Sequence, residues 1–190
     1  SEVMIVSVGA QPGVLDSARW RLEQGRLRQL VADTRGVVQS AEAVGAPFLS
    51  AGPVERIESA DGSHDNKRSA VVSSQRIGSG YFRTLGVPLL QGREFNDADS
   101  RDESTEGVVT AVIISSTTAR LIWGDVNPMG RYMRYRGGLV EVIGVIPEIH
   151  DVATGASLAR MYLPISAIRP TGLELIVRTK GSGVALNAVL

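Results

Sequence analysis

SGYFRTLGVPLLQGREF, at residues 79–95, has the strongest structural signals of this 190-residue chain. We predict a short helix here, with Ser79 as its N-cap, Gly86 at its C-terminal end and Pro88 preventing its continuation. The stretch has almost none of the hallmarks of a catalytic motif. Its glycines, proline, aromatic residues and Arg-Glu pair are typical of a structural connector.

The glycines and aromatic residues of this stretch have predictable roles. Gly80, Gly86 and Gly92 supply backbone conformations that side chains disfavour. Tyr81 and Phe82 anchor the short helix on the core. If Gly86 has a positive φ, a valine there destabilises the fold, whereas a helical φ contradicts this interpretation.

Composition limits the class of protein. A chain of 190 residues forms one large domain or two small ones. Its 43% hydrophobic and 21% charged residues indicate a globular protein rather than a disordered one. The 20 basic and 20 acidic residues cancel, which argues against a nucleic-acid partner. The absence of cysteine excludes disulfides, iron–sulfur clusters, thiolate zinc sites and thiol nucleophiles.

Both ends of the sequence look as if they were cut from something longer. The chain starts in a strand-like run at 3–8 and stops in a helix-like run at 184–190. It contains no run of 18 apolar residues and no visible signal peptide. We therefore expect a soluble segment of a larger membrane protein, with a natural short protein as the alternative.

Local patterns predict alternating strands and helices. A helix is expected from Asp16 or Ser17 to about Thr34, with Gly36 as its left-handed cap, and another from Ser116 or Thr117 to about 123. Residues 45–69 and the acidic stretch 96–106 read as loops. Runs of β-branched and aromatic residues predict strands at 3–8, 37–44, 54–57, 70–77, 108–115, 161–164 and 173–178, and a hairpin of 131–136 with 140–145 across Gly137 and Gly138.

The order of these elements indicates an insertion. The strand–helix–strand unit at 3–44 resembles the beginning of a second such unit at 173–190. The middle of the chain, about 76–165, then lies between two halves of one domain.

Candidate ligand and catalytic motifs are incomplete. Gly78-Ser-Gly80 precedes a helix, but Arg83 stands where a dinucleotide fingerprint needs glycine, and the chain has no Walker loop. The acidic stretch 96–103 lacks the spacing and the glycine of a calcium loop. The only histidines are His64 and His150; His150 adjoins Asp151 and Glu148, which is more often plain surface than a metal or acid–base site. The sequence therefore predicts no catalytic residue, no metal and no cofactor.

Two surface features have both a functional and a structural interpretation. Arg19, Arg21, Arg26 and Arg28 could form a basic face for anionic headgroups, but Glu23 and Asp33 interleave with them, which favours a solvated helix face. Trp20 or Trp123 could be a partner hot spot, although core anchoring is the simpler role.

Taken together, the motifs resemble the MacB-like periplasmic core domain of FtsX-type ABC-transporter permeases. The match of the sequence motifs is best with the duplicated orphan permeases. The resemblance covers about residues 76–180 in order and spacing. The N-terminal part fits more loosely, since Arg35 stands where the family favours proline. The residues that support the resemblance are Tyr81, Phe82, Gly86, Pro88, Gly92, Arg93, Glu94, Phe95, Trp123, Pro128, Gly130, Gly144, Tyr162 and Pro164.

The resemblance implies an α+β fold in two subdomains. A porter-like α/β part is built from both chain ends, 1–75 and 166–190, and a mostly-β part with short helices is inserted at 76–165. Arg93 and Glu94 pair with each other or cap neighbouring backbone, and an exposed pair is worth only about 0–1 kcal/mol.

The resemblance also implies a function. The segment is expected to be a non-catalytic periplasmic domain of an inner-membrane permease, between its first two membrane helices. It couples ATP hydrolysis by a cytoplasmic ATP-binding subunit to conformational change or partner engagement. Its partners are then the flanking membrane helices, that subunit, and periplasmic proteins or a second permease copy. The alternatives are a free-standing periplasmic module that binds a small ligand, and a small hydrolase that uses His150 with Asp151.

Overall fold

The computed structural model describes residues 2–8, 17–45, 52–60, 68–96, 98–99, 110–150, 157–165 and 173–180. Strands predominate and the helices are few, which confirms the α+β class. The elements are β1 (Glu2–Val8), α1 (Ser17–Ala32), β2 (Val37–Ala43), β3 (Val54–Ser59), β4 (Ser69–Ile77), α2 (Tyr81–Leu85), β5 (Gln91–Gly92), β6 (Ala111–Ser115), α3 (Ser116–Trp123), β7 (Tyr132–Tyr135), β8 (Gly138–Ile146), β9 (Ile149–His150), β10 (Ser157–Leu158), β11 (Arg160–Pro164) and β12 (Leu173–Thr179).

Six of the described strands form a closed ring. The hydrogen-bonded order is β4-β11-β6-β8-β7-β3, and β3 pairs back onto β4, so the series has no free edge. We call these six strands the ring. Side chains alternate between its two faces; on β7, Met133 and Tyr135 are buried while Tyr132 and Arg134 are exposed. The helix α3 packs Ile122 and Trp123 into the same core.

The three remaining long strands form a small antiparallel sheet, which we call the end sheet. Its order is β1-β12-β2, and it meets the ring through a single pairing of Ala43 with Ile77. The helix α1 covers one face, where Leu27 and Val31 pack against Leu175 and Val177. In the described part of the chain, no helix has the length and apolar character needed to cross a bilayer.

Two predicted helix caps are wrong by one residue. Gly80, not Ser79, is the N-cap of α2, and because glycine has no side chain, the Glu94 carboxylate accepts the first-turn hydrogen bond from the Arg83 backbone N–H. Ser115, not Ser116 or Thr117, caps α3, because β6 runs directly into that helix. The Ser115 hydroxyl accepts from the Thr118 backbone N–H at 3.3 Å.

The hairpin turn also lies one residue earlier than predicted. Arg136 and Gly137, rather than Gly137 and Gly138, occupy the turn, and both have positive φ, 46° and 83°. That pair of left-handed residues matches the right-handed twist of β7 and β8. Val108, Val109 and the helix-like run 184–190 lie outside the described residues.

The predicted subdomain boundaries at 75/76 and 165/166 stay predictions. The first falls inside β4, which pairs with β3 on one side and β11 on the other. Hydrogen bonding thus places β3 and β4 in the ring.

Candidate functional site

The helix α2 lies where the end sheet meets the ring. It packs against β2 and β12 of the end sheet. Its side chains share one buried cluster with residues of both parts: Ala41 and Ile176 from the end sheet, Ile113 and Tyr162 from the ring. We call α2 together with Phe95, Tyr162, Glu94 and Arg178 the α2 junction.

Three aromatic rings form the centre of the α2 junction. The Tyr81 and Phe82 centroids are 5.2 Å apart at 85°, and those of Phe82 and Tyr162 are 4.9 Å apart at 81°. These edge-to-face pairs contribute about 0.5–1.5 kcal/mol each beyond the area they bury. Phe95 is buried in the same cluster. The predicted anchoring role of Tyr81 and Phe82 therefore has a direct structural basis.

The tyrosine hydroxyls at this site are structural rather than acid–base groups. The Tyr81 hydroxyl donates to Gln75 Oε1 at 3.2 Å, and Gln75 Nε2 donates to the Gly45 carbonyl at 3.0 Å. Burial raises the pKa of Tyr81 above its usual value and raises the pKa of Tyr162 to about 12. Both hydroxyls are consequently neutral near pH 7.

The C-terminal end of α2 is bound by a side chain of the end sheet. Gly86 has φ +74°, which confirms the predicted left-handed conformation. Arg178 Nε of β12 donates to the Thr84 carbonyl at 2.8 Å. A Cβ at Gly86 would lie 2.8 Å from Arg178 Nη2, so the missing side chain makes room for the guanidinium. A cation at this helix end also satisfies carbonyls that have no partner within the helix.

The Arg93 and Glu94 side chains do not pair with each other, but Arg93 Nη1 donates to the Glu94 backbone carbonyl at 3.1 Å. Glu94 Oε1 accepts from the Arg83 backbone N–H at 3.1 Å and so caps α2. Arg93 donates to both oxygens of Asp99, at 2.6 and 2.9 Å. Burial alone would raise the pKa of Asp99, but hydrogen bonds from Arg93 and the Asn96 backbone hold it below its usual value.

Two motif glycines allow backbones to cross. Gly92 of β5 pairs in register with Gly144 of β8. A Cβ at Gly92 would lie 2.1 Å from the Ile143 carbonyl oxygen, and one at Gly144 would lie 2.7 Å from the Arg93 carbonyl oxygen. Only glycine permits β5 to lie this close to the ring.

The remaining motif residues lie away from α2. Trp123 is in the core of the ring. Pro128 is buried and Gly130 has φ +70° in the turn before β7, where its N–H donates to the Val142 carbonyl at 2.9 Å. Pro88 is exposed, and the Pro164 carbonyl accepts from Arg76 at 3.3 Å. The buried residues that carry the family resemblance therefore lie mainly in two places, the α2 junction and the ring core.

The candidate catalytic and metal residues are not brought together among the described residues. No group of three or more His, Asp or Glu there could hold a metal ion. His150 is exposed on β9, while Asp151 and His64 lie outside the described residues, so the hydrolase stays a hypothesis. Glu148 accepts hydrogen bonds from Thr117 and Arg120.

The predicted basic face is only partly described. Arg26 pairs with Glu23 at 2.9 Å, as the solvated-face interpretation expects. Arg28 instead reaches the buried Glu42 of β2 at 3.4 Å. Burial raises the pKa of Glu42, and Arg28 opposes part of that rise. The side chains of Arg19, Trp20 and Arg21 lie outside the described residues.

Sequence reasoning missed several residues of the site. Thr84 and Arg178 are 94 positions apart, and no local pattern links them. Outside the α2 junction, Gly52 was also missed, since a Cβ there would lie 2.0 Å from the Ser74 carbonyl oxygen. The Gly-Pro pair at 52–53, which was interpreted as part of a loop, was the only available signal for that close approach.

Comparisons with known proteins agree on one family. The model of the MacB-like periplasmic core domain matches residues 1–189. The macrolide export ATP-binding/permease protein MacB of Neisseria meningitidis is 22% identical over 146 residues, 76% of this chain and 21% of that protein. The ABC transporter permease YknZ of Bacillus subtilis is 26% identical over 106 residues, 56% of this chain and 25% of that protein. The chain thus spans about a fifth to a quarter of these curated relatives.

Solved structures of similar fold point the same way. The periplasmic region of MacB from Actinobacillus actinomycetemcomitans has a TM-score of 0.62 at 16% identity, over 98% of this chain and 80% of that one. The extracellular domain of the noncanonic ABC-type transporter YknZ from Gram-positive bacteria has a TM-score of 0.55 at 21% identity, over 86% of this chain and 76% of that one. At these identities the likeness concerns the fold.

Proposed function

The chain belongs to the MacB-like periplasmic core domain family, and on that premise we propose that it is a non-catalytic transmission domain of an ABC-transporter permease. In this proposal it lies outside the inner membrane between two membrane helices. It transmits the conformational change that ATP hydrolysis by a cytoplasmic subunit drives. Periplasmic proteins or a second permease copy receive that change. The relatives named for macrolide export carry similar domains, but this chain's cargo is not part of the proposal.

The observation that supports transmission is the position of the α2 junction. The first and last described strands, β1 and β12, pair along their whole lengths, from Glu2 with Thr179 to Val8 with Leu173. Any displacement of either strand therefore reaches the other. From β12, Arg178 contacts the C-terminal end of α2, and the aromatic rings of α2 pack on the ring.

We also propose that the two parts held together by α2 are the end sheet with α1 and the ring. This places the first boundary between β2 and β3 instead of at residue 75. The pairing of β3 with β4 and β7 supports that choice. Interdigitated aromatic rings resist continuous deformation, so the junction should keep the two parts in one orientation.

The test is Arg178→Met in the complete permease with its ATP-binding subunit. Methionine has no hydrogen-bond donor, so the hydrogen bond from Arg178 Nε to the Thr84 carbonyl is lost. We expect the variant to fold and hydrolyse ATP, but to export several-fold less cargo per ATP. Arg134→Met is the matched control, since it removes an exposed arginine from the ring. Unchanged export per ATP in Arg178→Met would contradict the proposal.

A further inference from the structure

Arg160 is a buried cation for which the described part of the chain supplies no carboxylate. It stands at the start of β11 and only 4% of its surface is exposed. Its Nε is buried without a hydrogen-bond partner, and no ion pair joins it to a described Asp or Glu. An isolated buried charge is costly unless an opposite charge is close.

The register of the ring places another unsatisfied polar group beside it. Arg160 pairs in register with Ser73 of β4, and Tyr162 pairs with Gln75. Met161 and Leu163 face the ring core, so Arg160 and Tyr162 share the opposite face. Ser73 Oγ is also buried without a partner. Neighbouring strands are about 4.8 Å apart, so these two groups are close neighbours.

The groups that meet here are hydrogen-bond donors. A guanidinium can only donate, and a serine hydroxyl can donate once. The Tyr162 hydroxyl is on the same face of β11 as Arg160 and can donate once. The nearby Gln75 already has a partner at each polar atom, because its oxygen accepts from Tyr81 and its nitrogen donates to the Gly45 carbonyl.

We propose that Arg160, Ser73 and Tyr162 bind a small inorganic anion of the chloride class. One negative charge neutralises the guanidinium, and a single-atom anion can accept from donors on adjacent strands. A carboxylate of a partner protein is too large to reach a side chain that is 96% covered. An ordered water could satisfy the same donors, but it would leave the guanidinium without a counter-charge among the described residues.

Chloride dependence of stability tests the site in the 190-residue chain. Thermal unfolding is compared in sodium chloride and in sodium gluconate of equal ionic strength, because gluconate is too large to be enclosed. An anion that binds only the folded state should raise Tm by about 3–6 °C when chloride exceeds its dissociation constant tenfold. Arg160→Met should lose this difference and Ser73→Ala should reduce it.

The control is Arg134→Met, which removes an exposed arginine of the ring and should keep the full chloride effect. Bromide in crystals of the unaltered protein gives a second readout that needs no variant. An anomalous peak within hydrogen-bond distance of Arg160 Nε supports the proposal. A water at that position, or equal chloride effects in Arg160→Met, Ser73→Ala and the unaltered chain, overturns it. Neither result bears on the proposed transmission role.

Discussion

Replacing Gly86 by valine strains the C-terminal end of α2 in two ways. The residue has φ +74°, a conformation that costs an ordinary side chain about 1–2 kcal/mol and a β-branched one more. Its Cβ would also lie 2.8 Å from Arg178 Nη2, so the guanidinium must move and its hydrogen bond to Thr84 weakens. That bond contributes about 0.5–1.5 kcal/mol. We expect a total destabilisation of about 2–4 kcal/mol.

Urea unfolding followed by tryptophan fluorescence measures this change directly. The matched control is Gly137→Val, because Gly137 also has a positive φ, +83°, but a Cβ there meets nothing within 4 Å. The control isolates the backbone strain, so Gly86→Val should cost about 1 kcal/mol more. A cost below about 1 kcal/mol for Gly86→Val, or equal costs for both variants, would refute the reasoning about Arg178.

Three further predictions concern the β5 crossing and two carboxylates. Gly92→Ala should destabilise more than Gly86→Ala in the same urea assay, because its Cβ meets the backbone oxygen of Ile143, which cannot rotate away. The pKa of Asp99 is lowered in the folded protein, so its pair with Arg93 contributes its full free energy of folding at pH values above the ordinary Asp pKa. That contribution is lost as pH falls through the folded-state pKa, and Asp99→Asn should abolish this loss of stability at acid pH. The pKa of Glu42 is raised, so the unfolding free energy should fall as pH rises from its ordinary pKa through the folded value, and Glu42→Gln should flatten that slope.

The sequence predicted most of the local structure because its signals are local. Runs of β-branched residues such as the one that forms β6 indicate a buried strand, and α2 ends at Gly86, before Pro88, as predicted. The N-caps of α2 and α3 each differ by one residue from the predicted ones. The strand β6 runs directly into α3, and the capping acceptor of α2 comes from a distant carboxylate, Glu94. These are tertiary effects that spacing alone does not show.

The closed ring and the full α2 junction could not be predicted in the same way. Closure depends on β3, a short strand in a stretch that read mostly as a loop, pairing with both β4 and β7. The aromatic anchors were recognisable, but Arg178 gained its role only through the long-range fold. Arg160 gave no sequence signal, since its burial follows from the strand register.

The most direct test of the central claim is a distance measurement across the α2 junction during the ATP cycle. The chain itself has no cysteine, so within it spin labels attach only at Val38→Cys of the end sheet and Leu139→Cys of the ring, both exposed. Any cysteine elsewhere in the permease is first replaced by serine. In the complete permease, pulsed electron paramagnetic resonance should give one narrow distance distribution with and without ATP. Arg178→Met, which has no donor for the Thr84 carbonyl, should broaden it. A broad or ATP-dependent distribution without that substitution would show that the end sheet and ring move independently, and would contradict transmission through α2.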